Sequence, residues 1–260
     1  MNTLDFFSGL YESINNILWP FIRIIAVFIT APVYNETAIN SKVKTGLAIL
    51  MTLLVYPMLP ADNIAIFSWQ GIATGIIQFI IGMMIGLGLQ VVFIAIRYAG
   101  ELISLQMGLS FATFYDSHYG QTMPVISRIL NILAVLLFFC FDGHLLLIEI
   151  LAGSFYIVPI RQSILSVEGI ISLIDMSRLI FSSGLKFALP VVILLLCINF
   201  SLGILNRIIP QLSIFVVGFP LSLTLGMLAL SFSLFLLSPF FEIALEENFE
   251  ALLSMLHRLR

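Results

Sequence analysis

Long apolar runs separated by short polar stretches divide this chain into six segments. They lie at about Ile17 to Ala31, Gly46 to Pro60, Ile72 to Ile96, Ile129 to Leu151, Phe187 to Leu205 and Leu212 to Phe241. The uncharged runs Asn63 to Ile96, Phe187 to Asn206 and Ile208 to Phe241 each reach or exceed the ~20 apolar residues that cross a bilayer core as a helix. The pattern predicts an all-α membrane protein.

The segments are unequal. The first carries Pro20 and Arg23. An arginine within an apolar span is costly unless it snorkels, pairs or faces protein, so this segment is expected to pack inside an assembly. The second, stopped by Tyr56, Pro57 and Pro60, is marginal in length for a crossing. The third carries Gly71 and Gly75, then Gly82, Gly86 and Gly88; the GxxxG spacings let backbones approach closely and read as helix packing, with a hinge as the alternative. In the fourth, Asp142, Gly143 and His144, with Glu149 beyond, read either as a turn between two short helices or as a proton relay.

From Ser154 to Lys186 charged and apolar residues alternate, which suggests a linker with an amphipathic helix between a long first part and a compact second part. In the second part Leu189-Pro190 is expected to open one helix and Gly218-Phe219-Pro220 to punctuate the next. Between them Asn199, Asn206, Arg207 and Gln211 are most simply inter-helix hydrogen bonders rather than a binding site. The tail from Glu242 to Arg260 begins acidic and ends basic, with Ile243, Leu245, Phe249, Leu252, Leu253 and Leu256 at near-helical spacing; a surface or partner-binding helix is expected.

The longest polar interruption in the first half, Arg97 to Pro124, is unlike a simple connector. It keeps Met107, Leu109, Phe111, Phe114, Tyr115 and Tyr119, and Met107, Phe111, Phe114 and His118 recur at the spacing of one helix face. Gly108 and Gly120 bracket this face and can take backbone conformations closed to other residues. Two readings stand: an interfacial helix with aromatics at headgroup level, or a pore plug of soft side chains that closes a conduit without directional bonds.

Composition agrees with the pattern. Of 260 residues 60% are hydrophobic and 10% charged, against a globular norm of about 25% charged, and the mean hydropathy is +1.13. The net charge of -3 is scattered and carries no nucleic-acid signature. The start, with Asp5 and Glu12 but no early Lys or Arg, lacks the basic opening of a cleavable signal peptide, so the first segment is expected to be retained. Cys140 and Cys197 lie in apolar segments as small hydrophobes, suggesting neither disulfide nor metal site. Six crossings would put Arg161, Arg178, Lys186, Arg258 and Arg260 on one side and Lys42, Lys44, Arg97, Arg128 and Arg207 on the other. This tie sets no orientation and suggests apolar surface covered by partner subunits instead of lipid.

Several stretches together resemble the FliR family of flagellar export proteins, called SctT in virulence secretion. They are Arg23 with Ala31-Pro32, GELISLQMGLSFATFYD with Met123-Pro124, FDGH around Asp142, Ser154-Phe155 to Pro159, and LPVVILLLCINFSLGILNRIIPQLSIFVVGFPLSLTLG. The resemblance covers essentially the whole chain. It implies a structural export-gate subunit without catalytic activity or cofactor, assembled with FliP and FliQ and contacted by FlhB and FlhA, with exported flagellar proteins in transit. The implied place is the bacterial inner membrane at the flagellar basal body, much of the chain lying above the lipid plane. The implied fold is a set of tilted and broken helical hairpins, FliP-like over residues 1–185 and FliQ-like over 186–260. The loop at about 106–124 would then be the internal plug, with Met107, Gly108, Phe111, Phe114, Tyr115 and Tyr119 as plug residues. Arg23, Gly82, Gly86, Asn199, Asn206, Arg207, Pro210, Gln211 and Pro220 would serve subunit packing.

Two rival classes fit less well. A secondary transporter places ionisable residues near mid-span, where only Arg23, Asp142 and His144 come close. An intramembrane enzyme needs a nucleophile with a base or an HExxH pair, and His118, His144 and His257 are far apart.

Overall fold

The computed structural model describes residues 3–33, 40–59, 64–109, 124–161, 165–208 and 214–260. Every regular element among them is helical: α1 Thr3–Thr30, α2 Ser41–Val55 with a 3-10 turn at Tyr56–Met58, α3 Trp69–Gln106, α4 Val125–Cys140, α5 Gly143–Ile157, α6 Val167–Ile208 and α7 Ile214–Leu259. The all-α expectation holds.

Local chemistry sets the helix ends. Asn40 caps α2, its side-chain oxygen accepting from the Lys42 amide at 3.1 Å, and Pro57 tightens the exit into the 3-10 turn. The Ser68 hydroxyl accepts from the Gly71 amide at 2.9 Å at the start of α3. That helix ends in a Schellman turn: the Leu109 amide donates to the Ser104 carbonyl at 3.0 Å and the Gly108 amide to Leu105 at 3.1 Å, with Gly108 at φ 78°. Between α4 and α5, Asp142 takes φ 53°, a conformation aspartate tolerates better than most residues, and its amide donates to the Phe139 carbonyl at 3.3 Å. The turn reading of Asp142-Gly143 is the observed one, and Asp142 is exposed.

Several boundaries differ from expectation. Three helices, α3, α6 and α7 from Gly218 onward, are long and apolar enough to cross a membrane, and α4 with α5 would make a fourth if counted as one broken span. Among the described residues α2 is too short to cross, as its proline-stopped sequence suggests. The stretch from Ser154 to Lys186 holds the end of α5 and, from Val167, the helix expected there, which continues unbroken through residue 186 as the first half of α6. Pro190 lies inside α6, and Pro220 and Pro239 lie inside α7 rather than at ends. Proline is tolerated inside apolar helices, and the Thr224 hydroxyl bonds back to the Pro220 carbonyl at 2.9 Å within the same helix.

The chain forms two compact units, each assembled from separate stretches. One comprises Met1–Gln90, Gly143–Met176 and Asn248–Arg260; the other comprises Val91–Asp142 and Ser177–Glu247. In the first unit Ile24, Val27 and Phe28 of α1 are buried, as are Ile81 and Ile85 of α3 and Leu147 and Leu151 of α5. The C-terminal stretch belongs to this core: Leu252, Met255, Leu256 and Leu259 are buried, Leu252 meeting Gly88 and Leu259 meeting Gly169. The apolar face of the tail is thus largely used by its own chain, with Ile243 and Leu253 left exposed. In the second unit Phe93 packs edge-on against Phe138 and Phe241, with centroids 5.5 and 6.1 Å away.

Candidate functional site

In the first unit the candidate centre is Arg23. Its α1 position points into the core, where the side chain is fully buried. Nε donates to Gln78 Oε1 at 2.7 Å, Nη1 to Ser154 Oγ at 3.0 Å and Nη2 to the Val158 carbonyl at 2.8 Å. The Phe155 ring lies 4.2 Å from the guanidinium carbon, a cation–π distance. Gln78 Nε2 in turn donates to the Ile160 carbonyl at 3.4 Å. The guanidinium is held by an amide, a hydroxyl, a carbonyl and an aromatic face, all neutral. Its planar fork suits this role, since several fixed acceptors are satisfied from one rigid group. It ties α1 to α3, to α5 and to the backbone just beyond α5.

Gly82 and Gly86 make that approach close. A Cβ at Gly82 would collide with the Arg23 carbonyl and stand 2.7 Å from the Ala26 Cβ, and one at Gly86 would overlap the Thr30 hydroxyl. The GxxxG spacing on α3 is therefore spent on α1 of the same chain. Beyond it, Gln90 Nε2 donates to the Thr30 carbonyl at 2.6 Å, closing the end of the α1 contact.

In the second unit the candidate site is the end of α3. Met107 is 1% exposed and lies against Gly226 of α7, where a Cβ would stand 2.7 Å from Met107 Cγ. Phe219 covers the neighbouring turn, its Cδ2 lying 3.3 Å from where a Cβ would sit on Gly108. The α4 end is also fixed: a Cβ on Gly100 would lie 2.6 Å from Ser127 Cα, and the Ser127 hydroxyl donates to the Arg97 carbonyl at 3.2 Å. Both flanks of residues 110–123 are thus anchored. Phe111, Phe114, Tyr115 and Tyr119 lie outside the described residues.

The α6–α7 polar stretch is partly paired. Ser222 Oγ donates to Asn199 Oδ1 at 3.1 Å, an inter-helix hydrogen bond of the kind expected. Asn206 is half-buried, Arg207 and Pro220 are exposed, and Pro210 and Gln211 lie outside the described residues. Sequence reasoning missed Gln78, Ser222 and Gly226. Gln78 had a signal, as a lone amide between Gly71 and Leu89; Ser222 and Gly226 had none beyond being small.

The sequence profile of the bacterial export proteins, family 1, matches residues 14–248. The chain is 51% identical over 246 residues to a flagellar biosynthetic protein FliR of Pectobacterium carotovorum subsp. carotovorum, the match covering 95% of this chain and 94% of that one. It is 43% identical over 246 residues to the FliR protein of Escherichia coli (strain K12), with the same coverage. To the FliR protein of Bacillus subtilis (strain 168) it is 26% identical over 213 residues, 81% of this chain and 82% of that one.

Proposed function

This chain belongs to the bacterial export proteins, family 1, and from its membership in a flagellar export apparatus we propose that it is a structural subunit of the gate, supplying conduit wall and internal plug. It takes no part in bond chemistry. Residues 1–185 act as a FliP-like part and 186–260 as a FliQ-like hairpin, so the chain completes a ring of FliP and begins the surrounding FliQ layer. FlhB and FlhA contact the assembly, which sits at the inner membrane in the basal body. Unfolded flagellar proteins, driven by other components, pass through.

The observation that carries this reading is the coverage of α6. Its most apolar stretch is only 17% buried within the chain, and Phe181, Phe200 and Ile208 stand exposed. A helix so apolar and so uncovered calls for lipid or partner helices on most sides. Co-expression with FliP and FliQ, followed by native mass spectrometry, is expected to show one copy of this chain in a hetero-oligomer; a well-behaved monomer or homodimer indifferent to both would overturn the assignment.

The plug belongs to the loop at about residues 106–124. Phe111, Phe114 and Tyr115 fill the lumen at rest and move aside for substrate, a two-state element needing a few kcal/mol between closed and open; Met107, expected from the sequence to act with them, is 1% exposed and serves as their base. The anchored flanks at Met107 and Ser127 support this reading, since a plug needs a fixed base. Deleting residues 108–120 is expected to make cells carrying the whole gate leak ions; an intact seal would remove the plug from the proposal.

A further inference from the structure

The chain holds two tryptophans, and they stand in opposite surroundings at the start of α3. Trp19 of α1 is 2% exposed, its Cζ3 lying 3.5 Å from where a Cβ would sit on Gly75; Trp69, the first residue of α3, is 84% exposed. The first half of α3 has spent its packing devices on its own chain. Gly82 and Gly86 admit α1, Gln78 meets Arg23, and the Thr74 hydroxyl donates to the Gln70 carbonyl of the same helix at 2.9 Å. What remains is a stripe of Trp69, Ile72, Ile76, Phe79 and Leu87, all exposed, which fall within ~80° of one another around the helix. Apart from the indole N–H at its end, the stripe carries no polar or charged group and no glycine. Helices that pack on one another in a membrane use small residues or inter-helix hydrogen bonds; this face offers neither, and its bulky side chains suit fluid acyl chains. From Trp69 to Leu87 it is ~27 Å long, close to the ~30 Å of a bilayer core. Trp69 stands between Ser68 and Gln70, with Phe67 exposed nearby, and a tryptophan with an apolar ring and one donor favours the boundary between headgroups and acyl chains.

We propose that this stripe is a lipid-contacting face of the protein, with Trp69 at headgroup level and Ile72, Ile76, Phe79 and Leu87 against acyl chains. The start of α3 then marks one boundary of the bilayer core. The stripe asks for no further protein partner, since lipid covers what the chain itself leaves open.

The test reads tryptophan emission in vesicles whose phospholipids carry bromine, a contact quencher, either high on the acyl chains or near their ends. The full chain is reconstituted alone and after co-expression with FliP and FliQ, and the emission of Trp69 is taken as the difference between the protein and its Trp69→Phe variant. That emission is expected to lose most of its intensity to the shallow bromines and little to the deep ones, in both preparations. A second variant moves the reporter ~10 Å along the stripe: Ile76→Trp on the Trp69→Phe background is expected to reverse the order, the deep bromines quenching more. Both substitutions fall on exposed positions, where the core of the chain is untouched. Quenching that disappears on assembly would mean that a partner helix covers the stripe, and overturns the proposal while the gate reading stands. Emission that neither bromine quenches places the stripe in water and overturns it as well. The same shallow preference at both positions would lay α3 along the membrane surface, which removes the boundary at Trp69. Where no hetero-oligomer forms, the gate reading fails and the protein alone decides between these outcomes.

Discussion

Two helices of equal hydropathy, α3 and α6, sit at opposite ends of burial: 67% of the most apolar stretch of α3 is buried within the chain against 17% for α6. Hydropathy reports what a helix avoids, which is water, and is silent on what covers it. Small residues and polar anchors carry the difference. On α3, Gly82 and Gly86 admit the backbone of α1, and Gln78 meets a buried cation. On α6, Gly184 admits the α3 backbone at Ala95, but further along Gly203 faces open space and Phe200 is exposed. One helix is finished by its own chain; the other is left for neighbours.

The most damaging way to break this contrast is at Arg23. Arg23→Ala leaves the Gln78, Ser154 and Val158 acceptors without their donor and is expected to cost on the order of 3 kcal/mol, read as a lower unfolding temperature of the purified protein in detergent. Unchanged unfolding would mean that α3 is held by its apolar contacts alone. Gly82→Val is next. It forces α1 and α3 apart at the Arg23 carbonyl, and overpacking of this kind costs about 1–3 kcal/mol; a neutral result would show that the helices can slide to make room. The smallest effect belongs to α6. Phe200 is 73% exposed, so Phe200→Ala is expected to stay within about 0.5 kcal/mol in the isolated chain while weakening co-purification of partner subunits. A loss of stability matching that of Gly82→Val would place Phe200 in its own chain's core and dissolve the contrast.

Local signals were legible in the sequence wherever one residue type satisfies a backbone need. Glycine at 108 points to a bend and forms one, and Asp142-Gly143 points to a turn and is one. The GxxxG at Gly82 and Gly86 was read as close packing, and the structure supplies the partner, α1. Pairings across long separations were not legible. Nothing in the spacing couples Arg23 to Gln78, or Met107 to Gly226, because those contacts are fixed by how helices meet rather than by any repeat along the chain. Element lengths are hard to read for a related reason: Pro190, Pro220, Asp175 and Arg178 look like boundaries, yet apolar helices run through all four. The aromatic residues from Phe111 to Tyr119 gave the strongest functional signal in the sequence, and they fall outside the described residues.

The Arg23 anchorage sets a schedule for biogenesis. Its hydroxyl and carbonyl partners are 131 and 135 residues further along the chain, and at ribosomal speeds of ~5–20 residues per second they emerge roughly 7–27 s later. Throughout that interval α1 carries a cation that has no finished berth, and apolar surroundings penalise it. The anchorage is therefore complete only once the last turn of α5 has arrived, which makes that turn the step that closes the berth of the first helix.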